Sequence, residues 1–422
     1  MRTRIIPAAL AALALIATSC GGDDDDTAST GDSAETTAAS DTTGAAAETT
    51  AAGAGTTAPT GDCSLDAPLK IGFAADLGEL GAFSDQPGSD AAEVEVALLN
   101  AAGGVGGQQI EYVVKDIQGD PSATQRAAQE LLDEGVNAII GPPFSNTGAP
   151  LATTVDGQVP IIYMASTDVS LADAANGQFL ASFSDPVQSA AAAEFMLAQG
   201  KTTAITFSSN DDVYFSGNPE YFTEAWEHGG GELVQDFSFS LADEDFSSQV
   251  NEIASLDPQP EVLFTAMVMP QIATLLEQLS AAGVELSVIG VDGFDATVVW
   301  GAGDIAEDVY FTAHTFPTES NGVGAFLEEA EAAGKSIETL SFGALASDSV
   351  QIIAAAANAA CSTEGADLIA AISAMVDQPV TTGTVTYAGT NGVPEKDVVI
   401  LQVQGGEPAF VEAIRPTFVP DA

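Results

Sequence analysis

Two short apolar runs between residues 138 and 171, each followed by a loop rich in hydroxyl groups, limit the possible folds most strongly. The runs are residues 138–140 and 160–164, and both are short and β-branched, as buried strands are. The residues between them suit a helix, so the two strands should be parallel and their exit loops should lie side by side. Because open α/β sheets bind ligands at the carboxyl ends of their strands, we expect a binding site at these loops.

The two exit loops contain the first candidate residues. Ser145 or Thr147 is expected to cap the helix after the first run, where free N–H groups would hold an anion such as a carboxylate. Thr167 lies in the second loop. The alternative is that these hydroxyl groups only cap helices and turns. Two such loops on adjacent strands favour a site.

The charge of the chain excludes several classes of partner. Its 422 residues include 61 acidic and 9 basic side chains, a formal net charge of −52. Such a surface repels nucleic acid and anionic lipid, so no nucleic-acid partner is expected. We interpret the charge as a solvated acidic coat that aids solubility; recognition of a partner is the alternative. With 2 histidines and 3 cysteines, the sequence predicts neither a transition-metal site nor a cofactor.

The N-terminus has the pattern of an export signal. Residues 1–20 begin with two arginines and continue with an apolar run that is short for a membrane span. The run ends in small residues before Cys20 and so resembles the bacterial lipoprotein processing site, at which Cys20 would become the lipid-bearing first residue. Ala17 departs from that pattern, which usually has Leu there. The alternative is ordinary cleavage and release of the protein.

A low-complexity segment separates this signal from the folded part. Residues 21–62 contain mainly Ala, Thr, Gly, Ser and acids, which predicts a disordered acidic tether. If Cys20 is lipidated, Cys63 and Cys361 remain, in a compartment that permits disulfides. We therefore predict a Cys63–Cys361 bridge, which would place both cysteines in one lobe, that is, in one compact unit of the folded chain.

The following residues alternate between strand and helix patterns. A strand over 69–74, a loop over 78–88 and a helix over 89–101 begin the series, which continues to residue 164. The glycine cluster 103–107 leads from a helix into a strand, so it ends the helix and is not a phosphate-binding loop. This order predicts an α/β fold with a doubly wound parallel sheet.

Three motifs in residues 70–145 occur in the order found in one protein family. They are the helix end Asn100–Val105, the turn Asp116–Pro121 and the sequence Ile140-Gly141-Pro142. With them the segment resembles the N-terminal half of periplasmic binding proteins of the leucine/isoleucine/valine type, and the resemblance covers residues 68–415. It implies a type 1 clamshell of two doubly wound parallel-sheet lobes joined by a three-crossing hinge.

The resemblance also implies the division of the chain into lobes. The N-terminal lobe is expected to comprise residues 63–185 and 314–378, and the C-terminal lobe residues 186–313 and 379–422. Within the second lobe, the pattern predicts a helix over 219–228 after an exit loop over 208–214. In the tail, strands over 384–387 and 398–403 are expected to form a hairpin around Asn391-Gly392.

In the amino-acid binders of this family, the two lobes hold opposite ends of a zwitterion. The resemblance assigns the ligand carboxylate to Ser145, to Ser166 through its backbone, and to Thr167. It assigns the ligand ammonium to Asp292. A zwitterion bridging hydroxyl groups on one lobe and a carboxylate on the other would draw the lobes together through charge-assisted hydrogen bonds. The alternative for Asp292 is a turn-forming role before Gly293.

Aromatic residues complete the implied site. Tyr214 matches a position that packs on the ligand, Phe294 follows Asp292, and Phe83 or Ser84 lies in the first-lobe loop that faces the cleft. The alternative for Tyr214 is a packed loop residue. Residues 267–269, Met-Val-Met, stand where branched-chain binders tend to have aromatics; core packing is the preferred interpretation of the two methionines.

Together these features predict an extracytoplasmic solute-binding lipoprotein, held to the outer face of the cell membrane by Cys20. It would be a monomer that delivers an amino acid or similar small polar solute to the permease subunits of an ABC importer. There are two alternatives: a ligand-sensing subunit for a membrane receptor, and a binder of amides, urea or small carboxylates in the same fold. A secreted hydrolase is disfavoured because no Gly-x-Ser-x-Gly motif is present and His228 and His314 lie in no triad spacing, so we expect no enzyme activity.

Overall fold

The first of two large sheets contains five parallel strands. The computed structural model describes residues 63–422; the predicted signal peptide, Cys20 and the tether lie outside the described residues. Numbered in chain order, the strands of this sheet are β1 (Leu69–Ala75), β2 (Ile110–Asp116), β3 (Ala138–Gly141), β4 (Ile161–Tyr163) and β5 (Gln178–Leu180). They lie side by side in the order β2-β1-β3-β4-β5, and every pairing is parallel.

Helices cover both faces of this sheet. They are α1 (Ala82–Ala101), α2 (Pro121–Asp133), α3 (Ser145–Val155), α9 (Val323–Ala332), α10 (Ser341–Ala360) and α11 (Gly365–Ser373). One apolar core lies between the sheet and α1, α9, α10 and α11, and another lies between the sheet and α2 and α3. The start of α2 shows how local sequence sets an element: the Asp120 carboxylate accepts from the Ala123 amide at 2.7 Å, and Pro121 follows at the first helical position.

The second sheet has seven strands, of which five are parallel. They are β6 (Thr203–Ser208), β7 (Glu232–Ser238), β8 (Val262–Thr265), β9 (Ser287–Gly290), β10 (Tyr310–Ala313), β13 (Val398–Gln404) and β14 (Glu407–Ile414), in the order β14-β13-β10-β9-β8-β6-β7. The last two strands run antiparallel, β13 against β10 and β14 against β13. The helices are α4 (Asp185–Ala198), α5 (Val213–His228), α6 (Ser247–Ser255), α7 (Gln271–Ala282) and α8 (Thr297–Trp300).

The predicted hairpin around Asn391-Gly392 is wrong. Residues 383–385 form β12, which pairs with β11 (Gln378–Val380) in a separate small sheet, and β13 forms its hairpin with β14. Asn391 and Gly392 do adopt positive φ values of 51° and 94°, as a tight turn requires. The Gly392 carbonyl, however, accepts from the Leu180 amide at 2.8 Å, so this turn packs beside β5.

Residues 378–393 therefore lie against the first sheet, although residue 379 was expected to begin the last segment of the second lobe. Val380, Val385 and Tyr387 belong to the first-sheet core, and the Tyr387 hydroxyl donates to the Leu180 carbonyl at 2.7 Å. The third crossing thus lies between residue 393 and the start of β13 at Val398. The other two crossings fall just before α4 and just after β10.

Two helices begin earlier than predicted. α1 starts at Ala82 although residues 78–88 were expected to be a loop, and α5 starts at Val213 although Pro219 was expected to begin it. Pro87 and Pro219 therefore lie inside these helices, in the second turn, where each proline removes one backbone hydrogen bond without ending the helix. Asp212 caps α5 through the Tyr214 amide at 3.1 Å, so Tyr214 lies in the first helical turn.

The disulfide forms between the residues that the sequence predicted. Cys63 and Cys361 are bonded, with 5.4 Å between their Cα atoms, and they join the first described residue to the end of α10. Both ends therefore belong to the first lobe. Within residues 63–422, no single helix combines the length and hydropathy of a membrane span. α10 and α11 reach that length and hydropathy only when taken together, and they are bent by 105° at the break between them.

Candidate functional site

The end of α3 that faces the cleft differs from the expected anion site. α3 begins at Ser145 with Phe144 at the cap position, and no side chain caps it. The expected capping roles of Ser145 and Thr147 are therefore wrong: Thr147 donates back to the Phe144 carbonyl at 3.0 Å, and Ser145 donates to the carboxylate of Asp168. The Asn146 backbone amide, in the first turn of α3, donates to the carboxylate of Asp212, the residue that caps α5, at 3.4 Å.

The loop after β4 brings its hydroxyl groups into the interior. Ser166 and Thr167 are 1% and 2% exposed. The Thr167 hydroxyl donates to Asp185 Oδ1 at 2.6 Å, and the Ser166 carbonyl accepts from the Ser182 hydroxyl. Within the described residues the Ser166 hydroxyl oxygen has no hydrogen-bond partner. The loop follows β4, as the sequence predicted, but the Thr167 hydroxyl already donates a hydrogen bond to a carboxylate of the protein.

Asp292 lies at the exit of β9 in a single 3-10 turn, Asp292–Phe294, and is 2% exposed. Its Oδ1 accepts from the Tyr214 hydroxyl at 2.8 Å, and its Oδ2 lies 3.0 Å from His314 Nε2. The Tyr214 hydroxyl in turn accepts from the Gly293 amide at 3.0 Å. The two predicted residues Asp292 and Tyr214 are thus joined directly, although they are far apart in sequence.

His314, which directly follows β10, joins this group, although the sequence indicated only that it lies in no triad spacing. Burial lowers the pKa of His314, and its hydrogen bond with Asp292 only partly opposes this shift. A neutral His314 donates from Nε2 to Asp292, which leaves Nδ1 as an acceptor with no partner within the described residues. The signal that could have located it is its position at the carboxyl end of a strand beside the Asp292 strand.

Asp185 connects the two lobes at the first crossing. Its Oδ1 accepts from Thr167 at 2.6 Å, from Asn218 at 2.8 Å and from Gln188 at 3.0 Å. Gln188 also accepts from the Asp292 amide at 3.1 Å, so Thr167 and Asp292 are linked through two side chains. Burial raises the pKa of Asp185 to about 7. Asp185 does not stand out in the sequence, because an Asp-Pro pair at a helix start resembles an ordinary cap.

Aromatic rings fill the space between the loops. Phe144 lies 5.9 Å from Tyr214 and 6.4 Å from Phe83 between ring centroids, and Phe83 packs edge-on against Phe342 at 5.3 Å. Phe183 lies 3.8 Å from the His314 ring. Phe144 comes from the first lobe yet belongs to the apolar core of the second. The lobes are therefore in direct contact around the predicted site.

Two of the predicted site residues make no hydrogen bond with Asp292, Tyr214 or His314 and pack elsewhere. Phe294 is fully buried, and a Cβ built at Gly290 would lie 2.4 Å from its ring, so Phe294 packs against the end of β9. The Ser84 hydroxyl donates to the Gly81 carbonyl at 3.0 Å and to Asp85 at 3.1 Å within the start of α1. Both residues support loops of the cleft.

A cavity of about 160 Å³ lies between the lobes. Phe83, predicted to face the cleft, lines it from the first lobe with Glu79 and Leu80; five second-lobe residues complete the lining: Val268, Met269, Gly293, Ala296 and Val299. Met269 lines the cavity, and Met267 is fully buried. Ser145, Thr167 and Asp292 do not line this cavity; Asp292 is adjacent to it through Gly293.

A larger recess, about 500 Å³, lies on the second lobe alone. It is bounded by Ser287 at the start of β9 and Tyr310 at the start of β10, which places it at the amino ends of the strands. The inter-lobe cavity is at the opposite, carboxyl ends, where ligands of open α/β sheets bind. We therefore place the candidate site between the lobes. Within residues 63–422, no group of three His, Cys, Asp or Glu residues is arranged to hold a metal ion.

Comparisons with known proteins agree with this architecture. Residues 68–407 match the family model described as periplasmic binding protein. The Leu/Ile/Val-binding protein BraC3 of Rhizobium johnstonii is 25% identical over 346 residues, 81% of this chain and 93% of that protein. Leu/Ile/Val-binding protein homolog 3 of Brucella melitensis is 26% identical over 348 residues, again 81% of this chain and 93% of its own.

Solved structures show the same fold. The branched-chain amino acid transporter substrate binding protein LivJ from Streptococcus pneumoniae, in complex with isoleucine, matches with a TM-score of 0.76 and 22% identity over 83% of this chain and 100% of its own. A solute binding protein of an ABC transporter from R. palustris, in complex with benzoate, matches with a TM-score of 0.72 and 21% identity over 84% of this chain and 98% of its own. The chain belongs to the periplasmic binding protein family and has its type 1 two-lobed clamshell fold.

Proposed function

We propose that this protein is an extracytoplasmic solute-binding lipoprotein that captures a small polar solute between its lobes and delivers it to an ABC importer. The observation that carries the proposal is the buried Asp292 carboxylate. It is held by Tyr214 and His314 at the carboxyl end of the second sheet, and it is linked to the first lobe through Gln188 and Asp185. The relatives in the family are named for binding leucine, isoleucine and valine, which makes an amino acid one solute to test.

The clamshell supplies the mechanism of capture. Each lobe contributes polar groups and rings to one cleft, and a solute that contacts both lobes favours the closed arrangement by its differential affinity for it. Closure removes the solute from water, which strengthens its hydrogen bonds with Asp292 and the loops of the first lobe. The chain needs no chemical step for this role, because recognition and release complete the cycle.

Attachment to the membrane is part of the proposal. A lipid on Cys20 would hold the protein at the outer face of the cell membrane, and residues 21–62 would act as a tether that lets the folded body reach the permease. A ligand-sensing subunit for a membrane receptor would use the same anchor and the same cleft. Permease and ATPase genes beside the gene for this chain would favour import over sensing.

A thermal-shift screen tests the proposed function. The purified protein is heated in the presence of amino acids, amides, amines, urea and small carboxylates. A solute present at about a hundredfold excess over its Kd stabilises the folded state by about 3 kcal/mol, which raises the melting temperature clearly. We expect at least one class of solute to do so. Absence of any shift across all classes, with the protein folded by circular dichroism, would contradict the proposal.

A further inference from the structure

The first lobe presents carboxylates where the family resemblance places the carboxylate of a ligand. The Ser145 hydroxyl donates to Asp168, and the Thr167 hydroxyl donates to Asp185. The amide at the N-terminus of α3 donates to Asp212 at 3.4 Å. Three donors expected near a ligand anion, the Ser145 and Thr167 hydroxyls and the Asn146 amide, therefore already donate to acids of the protein. A ligand carboxylate placed there would meet like charges and would find these donors occupied.

No lysine or arginine of the described residues forms a salt bridge with these acids or with Asp292. Lys396 is close enough to contribute to the lowered pKa of His314, but its ammonium group pairs with Asp348 at 3.2 Å. Two of the nine basic residues, Arg2 and Arg4, fall in residues 1–62, which leaves seven. Five of them pair with acids: Lys70 with Glu111, Lys115 with Glu130 and Glu134, Lys335 with Asp90 and Glu93, Lys396 with Asp348, and Arg415 with Glu395 and Asp397. Arg126 is exposed on α2, and Lys201 precedes β6 at the amino ends of the strands.

The second lobe adds further acids beside the same cleft. Asp292 has only neutral donors, because burial lowers the pKa of His314. Asp295, three residues further along the chain, is fully buried, accepts from the Ser341 amide at 2.6 Å and has a pKa raised to about 6 by burial. Burying several carboxylates without a cation is costly, and a cationic partner offsets part of that cost.

Two further observations point to a ligand at this position. The Ser166 hydroxyl and His314 Nδ1 are buried and have no hydrogen-bond partner within residues 63–422, although buried polar atoms are normally paired. Phe83 lines the inter-lobe cavity, and its ring lies 6.4 Å from Phe144, which lies 5.9 Å from the ring of Tyr214, the donor to Asp292. Aromatic faces attract cations, with estimates of about 0.5–2 kcal/mol for each favourable contact.

We propose that the cleft selects a small organic cation, a primary or quaternary amine without a carboxylate, over a zwitterion or an anion. This inference rests on the proposed function, since it names the class of solute for the same cleft. Asp292 would pair with the ammonium group, and the aromatic rings and Met269 would contact its carbon atoms. The negative charge of Asp168, together with the ionised fraction of Asp185, would disfavour any ligand that carries a carboxylate toward the first lobe.

Matched ligands of one carbon skeleton test this inference. The full-length protein, purified in mild detergent, is titrated by calorimetry with 3-methylbutylamine, leucine and 4-methylpentanoate, and with the aromatic set phenylethylamine, phenylalanine and 3-phenylpropanoate. We expect the amine of at least one set to bind at least about tenfold more tightly than the amino acid, and the acid not to bind; tenfold corresponds to about 1.4 kcal/mol.

Proton exchange gives an independent measurement on the same samples. Because a bound cation lowers the pKa of neighbouring carboxyl groups, amine binding at pH 7 should release protons, and titrations in buffers of different ionisation enthalpy measure that release. The inference would be overturned, with the proposed function left standing, if the amino acid or the acid bound as tightly as the amine, or if no amine bound while another solute of the wider screen did. If no ligand of either set and no solute in the wider screen binds, both the inference and the proposed function are contradicted.

Discussion

Replacing Asp185 with Asn should remove a defined part of the pH dependence of stability. Burial raises the pKa of Asp185 from 3.8 to about 7 in the folded protein. A group with a raised pKa contributes stability that is fully present below its unfolded value, is lost progressively as the pH rises through the folded value, and then stays constant. Between pH 5 and pH 8, a shift of this size removes about 2–3 kcal/mol from the free energy of unfolding.

The substitution can preserve the surrounding geometry. All three donors to Asp185, from Thr167, Gln188 and Asn218, reach the same oxygen, Oδ1. The carbonyl oxygen of an Asn side chain can accept the same hydrogen bonds. We therefore expect Asp185→Asn to stabilise the protein relative to the parent chain, and by about 2–3 kcal/mol more at pH 8 than at pH 5.

Urea unfolding followed by tryptophan fluorescence at several pH values measures this difference, since Trp226 is fully buried. Asp295, whose pKa is raised to about 6, adds a loss of the same sign, and His314, whose pKa is lowered, contributes stability that is lost as the pH falls below its unfolded value. The difference between variant and parent isolates the contribution of Asp185 to the pH dependence of the free energy of unfolding. Asp66→Asn, at an exposed position, is the control and should leave the pH dependence unchanged. A variant-to-parent difference that is constant within about 0.5 kcal/mol would refute the reasoning.

Two other variants test the packing of the first lobe. Replacing Cys63 and Cys361 with Ser opens a loop of 298 residues, and we expect a loss of about 3–5 kcal/mol in the free energy of urea unfolding; a loss below about 1 kcal/mol would contradict a stabilising role of the bridge. A Cβ at Gly365 would lie 1.9 Å from the Gln158 carbonyl oxygen, so Gly365→Ala should cost at least about 1–3 kcal/mol. Gly78→Ala, where nothing lies within 4 Å, is its control, and equal effects of the two substitutions would argue against the clash.

The alternation of strands and helices could be predicted because buried parallel strands leave a clear apolar signal. The same signal located Asp292, Ser166 and Thr167 at strand exits. The hairpin around Asn391-Gly392 was wrong because a local turn preference does not reveal which strand the turn will accompany; a hydrogen bond to Leu180, distant in sequence, decides it.

The roles of Asp185 and His314 could not be predicted, because each depends on partners from separate segments. Asp185 joins residues of the β4 exit loop, α4 and α5, and His314 meets Asp292 only when β9 and β10 pair. The hydroxyl-rich loop of the first lobe was correctly placed, but its hydrogen-bond partners were unexpected. Sequence patterns indicate which side a residue faces; they do not show which of the many acids of this chain will reach it.

The most direct test of the account is the affinity of an Asp292→Asn variant for whichever solute binds the parent chain best. Because truncating one partner of a buried charge pair costs about 2 kcal/mol or more, calorimetry should show a Kd at least about 30-fold weaker, with the variant folded by circular dichroism. Asp66→Asn, which removes the same charge from an exposed position, should bind as the parent does. An Asp292→Asn variant whose Kd stays within about twofold of the parent value would contradict a role for this carboxylate in binding.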